Sequence, residues 1–283
     1  MLKQLLSLSR RSHRWLYPLI SLTVAIGLGI SQPIMARAFS LGDIIRLIPS
    51  GVQVIQLASL SDKQEVALGK QMNDQTITRQ FRMYRDPQLN QYVNQIGQRL
   101  AAKSGRTSIP YTYQIVEDKS VNAFATMGGF VYVTTGLMKT ADNEAQLASV
   151  LGHETGHIVH RHLVNQLKEE ATLQGIATLA GADRNALINL GTTLALTRPH
   201  SRNAEYEADA SGIAMMGRAG YAESAAPAFM SKLLNQPSPP TFLSTHPATA
   251  DRVARLKQMV EPAMANGAGL DTVAYKARVR SLS

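Results

Sequence analysis

Residues 143–167 have the sequence NEAQLASVLGHETGHIVHRHLVNQL, which is typical of a single helix and contains His153-Glu154-Thr155-Gly156-His157. At about 100° per residue, positions four apart lie on the same helix face, so both imidazoles can reach one tetrahedral Zn²⁺. Glu154 projects beside them, where it can take a proton from a metal-bound water instead of binding the metal. The motif therefore predicts a zinc hydrolase whose third protein ligand lies elsewhere in the chain.

The third ligand is restricted by what the chain lacks. There is no cysteine, so thiolate zinc sites and disulfides are excluded and zinc must be held by histidine and carboxylate. The extended motif with a glycine at position 160 and a histidine at position 163 is also excluded, because His160 and Leu163 stand there. A carboxylate on a second helix is the best remaining candidate.

Residues 203–209, NAEYEAD, supply three carboxylates on such a helix. Glu205 and Asp209 are four apart and share a face, whereas Glu207 is rotated by about 200° from Glu205 and is expected to face away. One member of the Glu205–Asp209 pair can bind zinc while the other accepts the Nδ1–H of a ligand histidine. The spacing leaves open which of the two is the ligand.

The first 38 residues have the features of a secretory signal. A basic region precedes an apolar run at 15–30, and the small residues Ala36 and Ala38 stand before Phe39. The run of about 16 residues is short for a bilayer core that needs about 20. We expect an exported protein, periplasmic or otherwise extracytoplasmic, with a cleaved signal; an uncleaved membrane anchor is the alternative.

The charge of the chain does not indicate a nucleic-acid partner. The formal net charge is +9 over 283 residues, but five of the 29 basic residues and none of the 20 acidic ones fall in the first 38 positions. The remaining excess of +4 is spread along the chain, which is typical of a solvated surface.

Hydrophobic periodicity predicts an α+β domain at 61–260, mostly helical with a small β-sheet beside the helix that carries the motif. A linker at 39–60 precedes it and a C-terminal tail with weak structural signals follows at 261–283. The expected helices are 61–75 with a cap at Ser61-Asp62, one opened by Asp86-Pro87 and running to Gly105, 143–167, 201–217 and, as the last, 248–259; a strand is expected at 111–116.

Two further segments bear on the site. Residues 121–126 and 130–134 are β-prone runs on either side of Met127-Gly128-Gly129, which predicts a hairpin or a tightly bent strand pair. An open edge of that sheet beside the metal helix would let a substrate peptide add as a strand. Residues 171–197, rich in Ala, Leu, Thr and Gly, are expected to form two short helices as a lid over the site.

Taken together, these motifs resemble the Oma1-like and CAAX-prenyl-protease-related zinc metallopeptidases. The resemblance covers roughly residues 60–260 and rests on Asn122-Ala123-Phe124-Ala125, on the histidine motif with Arg161-His162, on Ser201-Arg202 leading into Glu205-x-Glu207-Ala208-Asp209, and on Thr245-His246-Pro247. It implies a zincin-like metalloprotease fold with one Zn²⁺ per chain. Neither the spanning helices of some relatives nor the tetratricopeptide array of others is expected here, which favours a soluble exported member.

The resemblance also implies roles for individual residues. The zinc ligands are His153, His157 and Glu205, the general base is Glu154, and Asp209 is the partner of a ligand histidine. His246 lies near the metal, where it donates to the oxyanion or binds zinc in a resting state, or else caps the final helix. Asn122, Ala123, Phe124 and Ala125, together with the basic Arg252, are assigned to substrate binding.

The leading functional hypothesis is a zinc endopeptidase acting on misfolded exported or membrane-associated polypeptides. The alternative is a chaperone-like assembly and quality-control factor for envelope proteins, with latent proteolysis. Polypeptides are the expected partners, with a membrane surface or the outer-envelope assembly machinery as further candidates. A membrane-integrated protease held by the 15–30 segment is a third reading.

Overall fold

The computed structural model describes residues 60–173, 184–247 and 249–282. The predicted leader, nearly all of the predicted linker and the middle of the predicted lid lie outside the described residues. The described helices are α1 (Asp62–Met72), α2 (Thr78–Gln80), α3 (Pro87–Ala101), α4 (Thr135–Thr140), α5 (Glu144–Val159), α6 (His162–Leu173), α7 (Arg184–Thr197), α8 (Arg202–Arg218), α9 (Ala225–Leu234), α10 (Phe242–Thr245), α11 (Ala250–Met259) and α12 (Thr272–Arg278). The strands are β1 (Thr112–Val116), β2 (Ala123–Ala125) and β3 (Phe130–Thr134), so the predicted α+β class is confirmed.

The helix starts follow the capping signals of the sequence. The Ser61 side chain accepts from the Gln64 backbone N–H, and the Gln64 side chain accepts from the Ser61 N–H, which completes a capping box at α1. Asp86 caps α3, with Pro87 at its first position. Asn143 and Ser201 cap α5 and α8 through bonds to backbone N–H groups. These caps fix where each site-bearing helix begins.

The three strands are ordered β1-β3-β2, with β1 parallel and β2 antiparallel to β3. The predicted hairpin is confirmed, and Gly128 and Gly129 in its turn have φ values of 72° and 96°, which favour glycine. At the β1 edge, side-chain amides on α3 bond to the strand: Asn94 Oδ1 accepts from Tyr113 N and Asn90 Oδ1 from Ile115 N. That edge is thereby covered, whereas β2 forms the other edge of the sheet.

The contact between α5 and α8 depends on small residues. A Cβ on Gly156 would lie 2.8 Å from the carbonyl oxygen of Ala208, and one on Gly212 would lie 3.0 Å from the backbone nitrogen of His153. The two backbones therefore touch at these positions, which only glycine permits. This close approach places the histidines of α5 against the carboxylates of α8.

The prediction of one continuous helix at 143–167 is wrong. It ends at Val159, and a second helix begins at His162. Arg161 between them has φ 57°, a left-handed conformation that interrupts the helical hydrogen-bond series. The sequence shows no glycine or proline there, so no local signal marked the break.

The segment 261–282, expected to be a tail with weak signals, packs against the domain. The Gly269 carbonyl accepts from Ala145 N at 2.9 Å. Tyr275 on α12 is buried and donates to the Met138 carbonyl at 2.7 Å. The expectation that the helix at 248–259 would be the last is therefore corrected by α12. Across the parts of the chain that the structure describes, none of the helices combines the length and apolarity needed to cross a bilayer.

Candidate metal centre

Four side chains from three parts of the fold converge at one point. His153 and His157 come from α5, Glu205 from the first turn of α8, and His246 from the residue after α10. Their exposed fractions are between 1% and 6%. The capped start of α8 directs Glu205 towards α5. The close α5–α8 contact described above brings Glu205 next to the two histidines. We call these four residues the zinc cluster.

The distances within the zinc cluster fit a tetrahedral ion. His153 Nε2 lies 3.0 Å from His157 Nε2, 3.3 Å from His246 Nδ1 and 3.4 Å from Glu205 Oε2. Glu205 Oε1 lies 3.4 Å from His157 Nε2 and 3.2 Å from His246 Nδ1. Zinc bonds of about 2.0–2.1 Å in a tetrahedron separate neighbouring ligand atoms by about 3.3 Å. Imidazole and carboxylate are also ligands that zinc accepts, so the residues present fit a zinc ion.

Glu154 lies beside this cluster and not within it. Its side chain is 1% exposed, and its Oε1 has no hydrogen-bond partner among the described residues. His246 Nε2 lies 3.3 Å from this oxygen. Burial raises the pKa of Glu154, although His246 and His153 and a backbone hydrogen bond from Ala125 act in the opposite direction. A buried carboxylate with a free oxygen and a raised pKa is suited to moving a proton.

Asp209 and Arg252 lie behind the zinc cluster. Asp209 Oδ1 is 2.9 Å from His153 Nδ1, the nitrogen that faces away from the cluster. Arg252, 1% exposed, donates from Nε and Nη2 to the two Asp209 oxygens at 2.8 and 2.7 Å, and its Nη1 lies 2.5 Å from Glu205 Oε2. The structure thus places Arg252, which the resemblance assigned to substrate binding, in a buried contact with the carboxylates.

The charges of the cluster are strongly coupled. Burial alone would raise the pKa of Glu205, but His246 and His153 hold it well below its usual range. Burial opposes protonation of His153, yet its bonds to Asp209 and Glu205 raise the pKa of His153 to about 10. The pKa of His157 is lowered by burial and by His200. The pocket is therefore built to attract one positive charge at the centre of these ligand atoms.

Three residues near His157 have contacts that the sequence analysis did not predict. His162 Nδ1 lies 2.8 Å from His157 Nδ1, and His162 Nε2 lies 2.9 Å from Glu207 Oε2. Glu207 does face away from the cluster, as its rotation on the helix predicted, but it contacts the histidine behind a ligand. The His200 ring stacks on His157 with centroids 4.0 Å apart. No sequence spacing marks these contacts, because they join separate helices.

Strand β2 runs beside Glu154. Asn122 accepts from Thr134 N, and Thr126 N donates to Phe130, so the hydrogen-bonded positions on β2 are every second residue. The amides of Ala123 and Ala125 therefore point away from β3. The Ala125 backbone helps to lower the pKa of Glu154, and the Ala123 N–H bonds to the Asn122 side chain. The Phe124 side chain is buried against Tyr132 with ring centroids 4.8 Å apart.

Two further elements pack near the site. Leu196, near the end of α7, packs against the cluster of buried residues that contains Phe124. The Phe242 ring on α10 lies 4.5 Å from the His246 ring and stacks on it. The part of the predicted lid that the structure describes is therefore a helix over the sheet, and His246 is held in place by α10.

Comparison with known proteins agrees with this geometry. Residues 87–260 match the model of peptidase family M48. Over 218 residues the chain is 34% identical to the beta-barrel assembly-enhancing protease of Escherichia coli, which covers 70% of this chain and 44% of that protein. It is 35% identical over 185 residues to the putative beta-barrel assembly-enhancing protease of Vibrio cholerae, covering 59% of this chain and 38% of the relative.

A eukaryotic protein is also similar. The chain is 30% identical over 189 residues to the mitochondrial metalloendopeptidase OMA1 of Schizosaccharomyces pombe, covering 61% of this chain and 53% of the relative. The matched region thus spans between about two fifths and one half of the length of these relatives. Residues 87–260, which match the family model, include the residues of the zinc cluster.

Proposed function

Because the chain belongs to peptidase family M48, we propose that it is a zinc-dependent endopeptidase that hydrolyses peptide bonds in misfolded exported or membrane-associated proteins. The observation that carries the proposal is the tetrahedral spacing of His153, His157 and Glu205, with the unbonded Glu154 oxygen beside them. We propose these three residues as the protein ligands of one Zn²⁺ per chain.

We assign each residue of the site a separate role in peptide hydrolysis. Zinc held there lowers the pKa of a water molecule and polarises a peptide carbonyl. Glu154 accepts the proton of the attacking water and passes it to the leaving amine. Asp209 holds His153 through Nδ1, so that Nε2 of His153 is free for the metal. Arg252 acts as a positioning residue for Glu205 and Asp209, and we propose this in place of a substrate contact.

Substrate binding is proposed at the edge of β2. The amides of Ala123 and Ala125 point away from β3 and can pair with an extended peptide once the Asn122 side chain leaves the Ala123 N–H, which would place the peptide backbone beside Glu154. The effect of the Ala125 backbone on the pKa of Glu154 supports this, because it indicates that the strand edge lies beside the general base. Asn122 ends the edge, and the buried Phe124 anchors the strand to the sheet.

His246 has a separate role in the state described here. Its Nδ1 occupies the fourth corner of the ligand tetrahedron and its Nε2 faces Glu154 Oε1. In that position it fills the space that water needs, so we propose that it closes the resting site. His246→Ala is expected to raise casein cleavage several-fold by opening that corner. A fall in cleavage with unchanged zinc content would instead assign His246 to the oxyanion.

The main test is casein digestion by the zinc-loaded full chain. Glu154→Gln should lower the rate by about 10²- to 10⁴-fold, because general-base catalysis contributes that factor, while zinc content stays at the wild-type level. Glu169→Gln is the matched control, since it makes the same chemical change on an exposed side chain. Undiminished cleavage by Glu154→Gln would overturn the assignment.

A second function is favoured by the printed names of the bacterial relatives, which are beta-barrel assembly-enhancing proteases. We propose as the alternative that this chain assists the assembly of envelope proteins, with proteolysis latent. Complementation by Glu154→Gln in cells lacking the protein would support that role, and loss of complementation would favour proteolysis. The proposed export is tested by N-terminal sequencing, for which a start at Phe39 indicates a cleaved leader.

A further inference from the structure

A line of three side chains leads from the zinc cluster to the surface. His157 Nδ1 lies 2.8 Å from His162 Nδ1, and His162 Nε2 lies 2.9 Å from Glu207 Oε2. His157 and His162 are buried, whereas the Glu207 side chain is 56% exposed. The three residues come from α5, α6 and α8, and the left-handed Arg161 turns the chain so that His162 lies behind His157. We call this line the His162–Glu207 relay.

Counting protons along the relay determines its direction. A neutral imidazole carries one N–H and one lone pair. If His157 binds zinc through Nε2, its proton must be on Nδ1, which then donates to His162 Nδ1. His162 must accept there with its own lone pair, so its proton is on Nε2 and donates to Glu207. With both imidazoles neutral and Glu207 ionised, each hydrogen bond in the line therefore has one donor and one acceptor only when His157 Nε2 carries no proton, which is the tautomer that binds zinc through Nε2.

We propose that His162 and Glu207 are positioning residues that hold His157 in its zinc-binding tautomer. The proposal rests on the zinc site proposed above and adds the residues that orient its second histidine ligand, His157. His153 receives the equivalent support from Asp209, directly and within the buried site. For His157 the carboxylate is at the surface and acts through an intervening imidazole.

The same residues offer a rival reading, which the proton count disfavours. His160, His162 and Glu207 have ligand atoms close enough to hold a second metal ion. A metal on His162 Nε2 would take the lone pair there and put the proton on Nδ1. That proton would then point at His157 Nδ1, so Nδ1 would have to be unprotonated. His157 would carry its proton on Nε2, which is the atom that faces the first zinc. A second ion on His162 Nε2 would therefore prevent His157 from binding the first zinc through Nε2.

Zinc affinity of the full chain, measured by competition with a chromophoric chelator, tests the relay without using catalysis. His162→Phe should weaken zinc binding by about 10- to 100-fold, the usual loss when an outer partner of a ligand histidine is removed. Glu207→Ala should weaken it by about 10-fold, and Glu207→Gln should restore much of the loss because its amide oxygen still accepts from His162. Glu169→Ala, which removes a negative charge from the same surface pocket, should stay close to wild type.

Nitrogen-15 NMR of the histidines in the zinc-loaded protein supplies the second readout. The relay predicts that His162 carries its proton on Nε2 and His157 on Nδ1. The proposal is overturned if His162 carries its proton on Nδ1, if wild type binds a second zinc that Glu207→Ala abolishes, or if Glu207→Ala binds zinc as tightly as wild type. Glu207 is exposed, so that variant is informative even if His162→Phe does not fold.

These outcomes are separable from failure of the proposed function. A wild-type chain that binds no zinc, or a Glu154→Gln variant that still cleaves casein, would contradict the peptidase assignment itself. A chain that binds one zinc and cleaves casein, but whose zinc affinity does not depend on Glu207, contradicts the relay alone.

Discussion

The zinc cluster and a second group of charges just beyond the C-terminal end of α5 each contain a buried carboxylate but are built in opposite ways. The second group, which we call the Glu65 cluster, consists of Glu65, Asp62, Arg106 and Arg161. Arg106 donates to Glu65 at 2.8 and 3.3 Å and to Asp62 at 2.5 Å, and Arg161 Nε lies 3.1 Å from Glu65. Glu65 itself is 1% exposed.

In the Glu65 cluster donors point at acceptors, so the opposite charges neutralise one another. In the zinc cluster, lone pairs of imidazoles and carboxylate point at a common centre, and two Nε2 atoms lie 3.0 Å apart. Burying acceptors against acceptors is unfavourable unless a cation joins them. The Glu65 cluster is therefore suited to stabilising the fold, whereas the zinc cluster is suited to binding a cation.

The largest expected effect comes from breaking the zinc cluster. Glu205→Gln should weaken zinc binding by more than about 100-fold, because a charged ligand is lost and even outer partners are worth 10- to 100-fold. The unfolding midpoint of the metal-free protein should fall only slightly, because the ionised Glu205 stabilises the fold but Arg252 keeps its two bonds to Asp209. Chelator competition and thermal unfolding of the metal-free chain measure the two quantities.

Breaking the Glu65 cluster should give the reverse pattern. Glu65→Gln leaves Arg106 and Arg161 with one carboxylate fewer and should cost about 3 kcal/mol of unfolding free energy. For a domain of this size that corresponds to a fall in midpoint of roughly 6–12 °C. Zinc affinity of the folded fraction should be unchanged. Equal losses of zinc affinity in both variants would show that the two clusters do not differ in the way described.

The smallest effect is a change in acid sensitivity. The pKa of Glu205 and that of Asp209 lie below their ordinary values of 4.5 and 3.8, in each case despite burial and because of cationic neighbours. Between the folded-state and ordinary pKa values the unfolded chain therefore binds more protons than the folded chain. The two carboxylates stabilise the fold at pH above their ordinary pKa values, and this stabilisation is lost as the pH falls through their lower folded-state pKa values. Urea unfolding of the metal-free chain between pH 6 and 3 should show this slope, and Asp209→Asn should make it shallower. A steeper or unchanged slope would contradict the assignment.

Much of the fold could be predicted because it follows local rules. The caps at Ser61, Asp86, Asn143 and Ser201 and the glycines of the hairpin turn act on their own neighbourhoods. The break at Arg161 could not be predicted, since an arginine in a left-handed conformation is held there by its tertiary contacts with Glu65 and with the Leu60 carbonyl.

The site was predictable where helix spacing decides geometry. The i, i+4 pairs His153–His157 and Glu205–Asp209 follow directly from the helical period. The resemblance, in contrast, was needed to choose between Glu205 and Asp209 as the ligand. The roles of His162, Glu207 and His200 depend on how three helices meet, and no spacing within one helix contains that information.

The measurement that tests the account most directly is anomalous X-ray diffraction at the zinc edge from crystals of the zinc-loaded chain. The account predicts one peak, at about 2.0–2.2 Å from the facing atoms of His153, His157 and Glu205, and none between His160, His162 and Glu207. A peak at the latter position, or no peak within the zinc cluster, would contradict it.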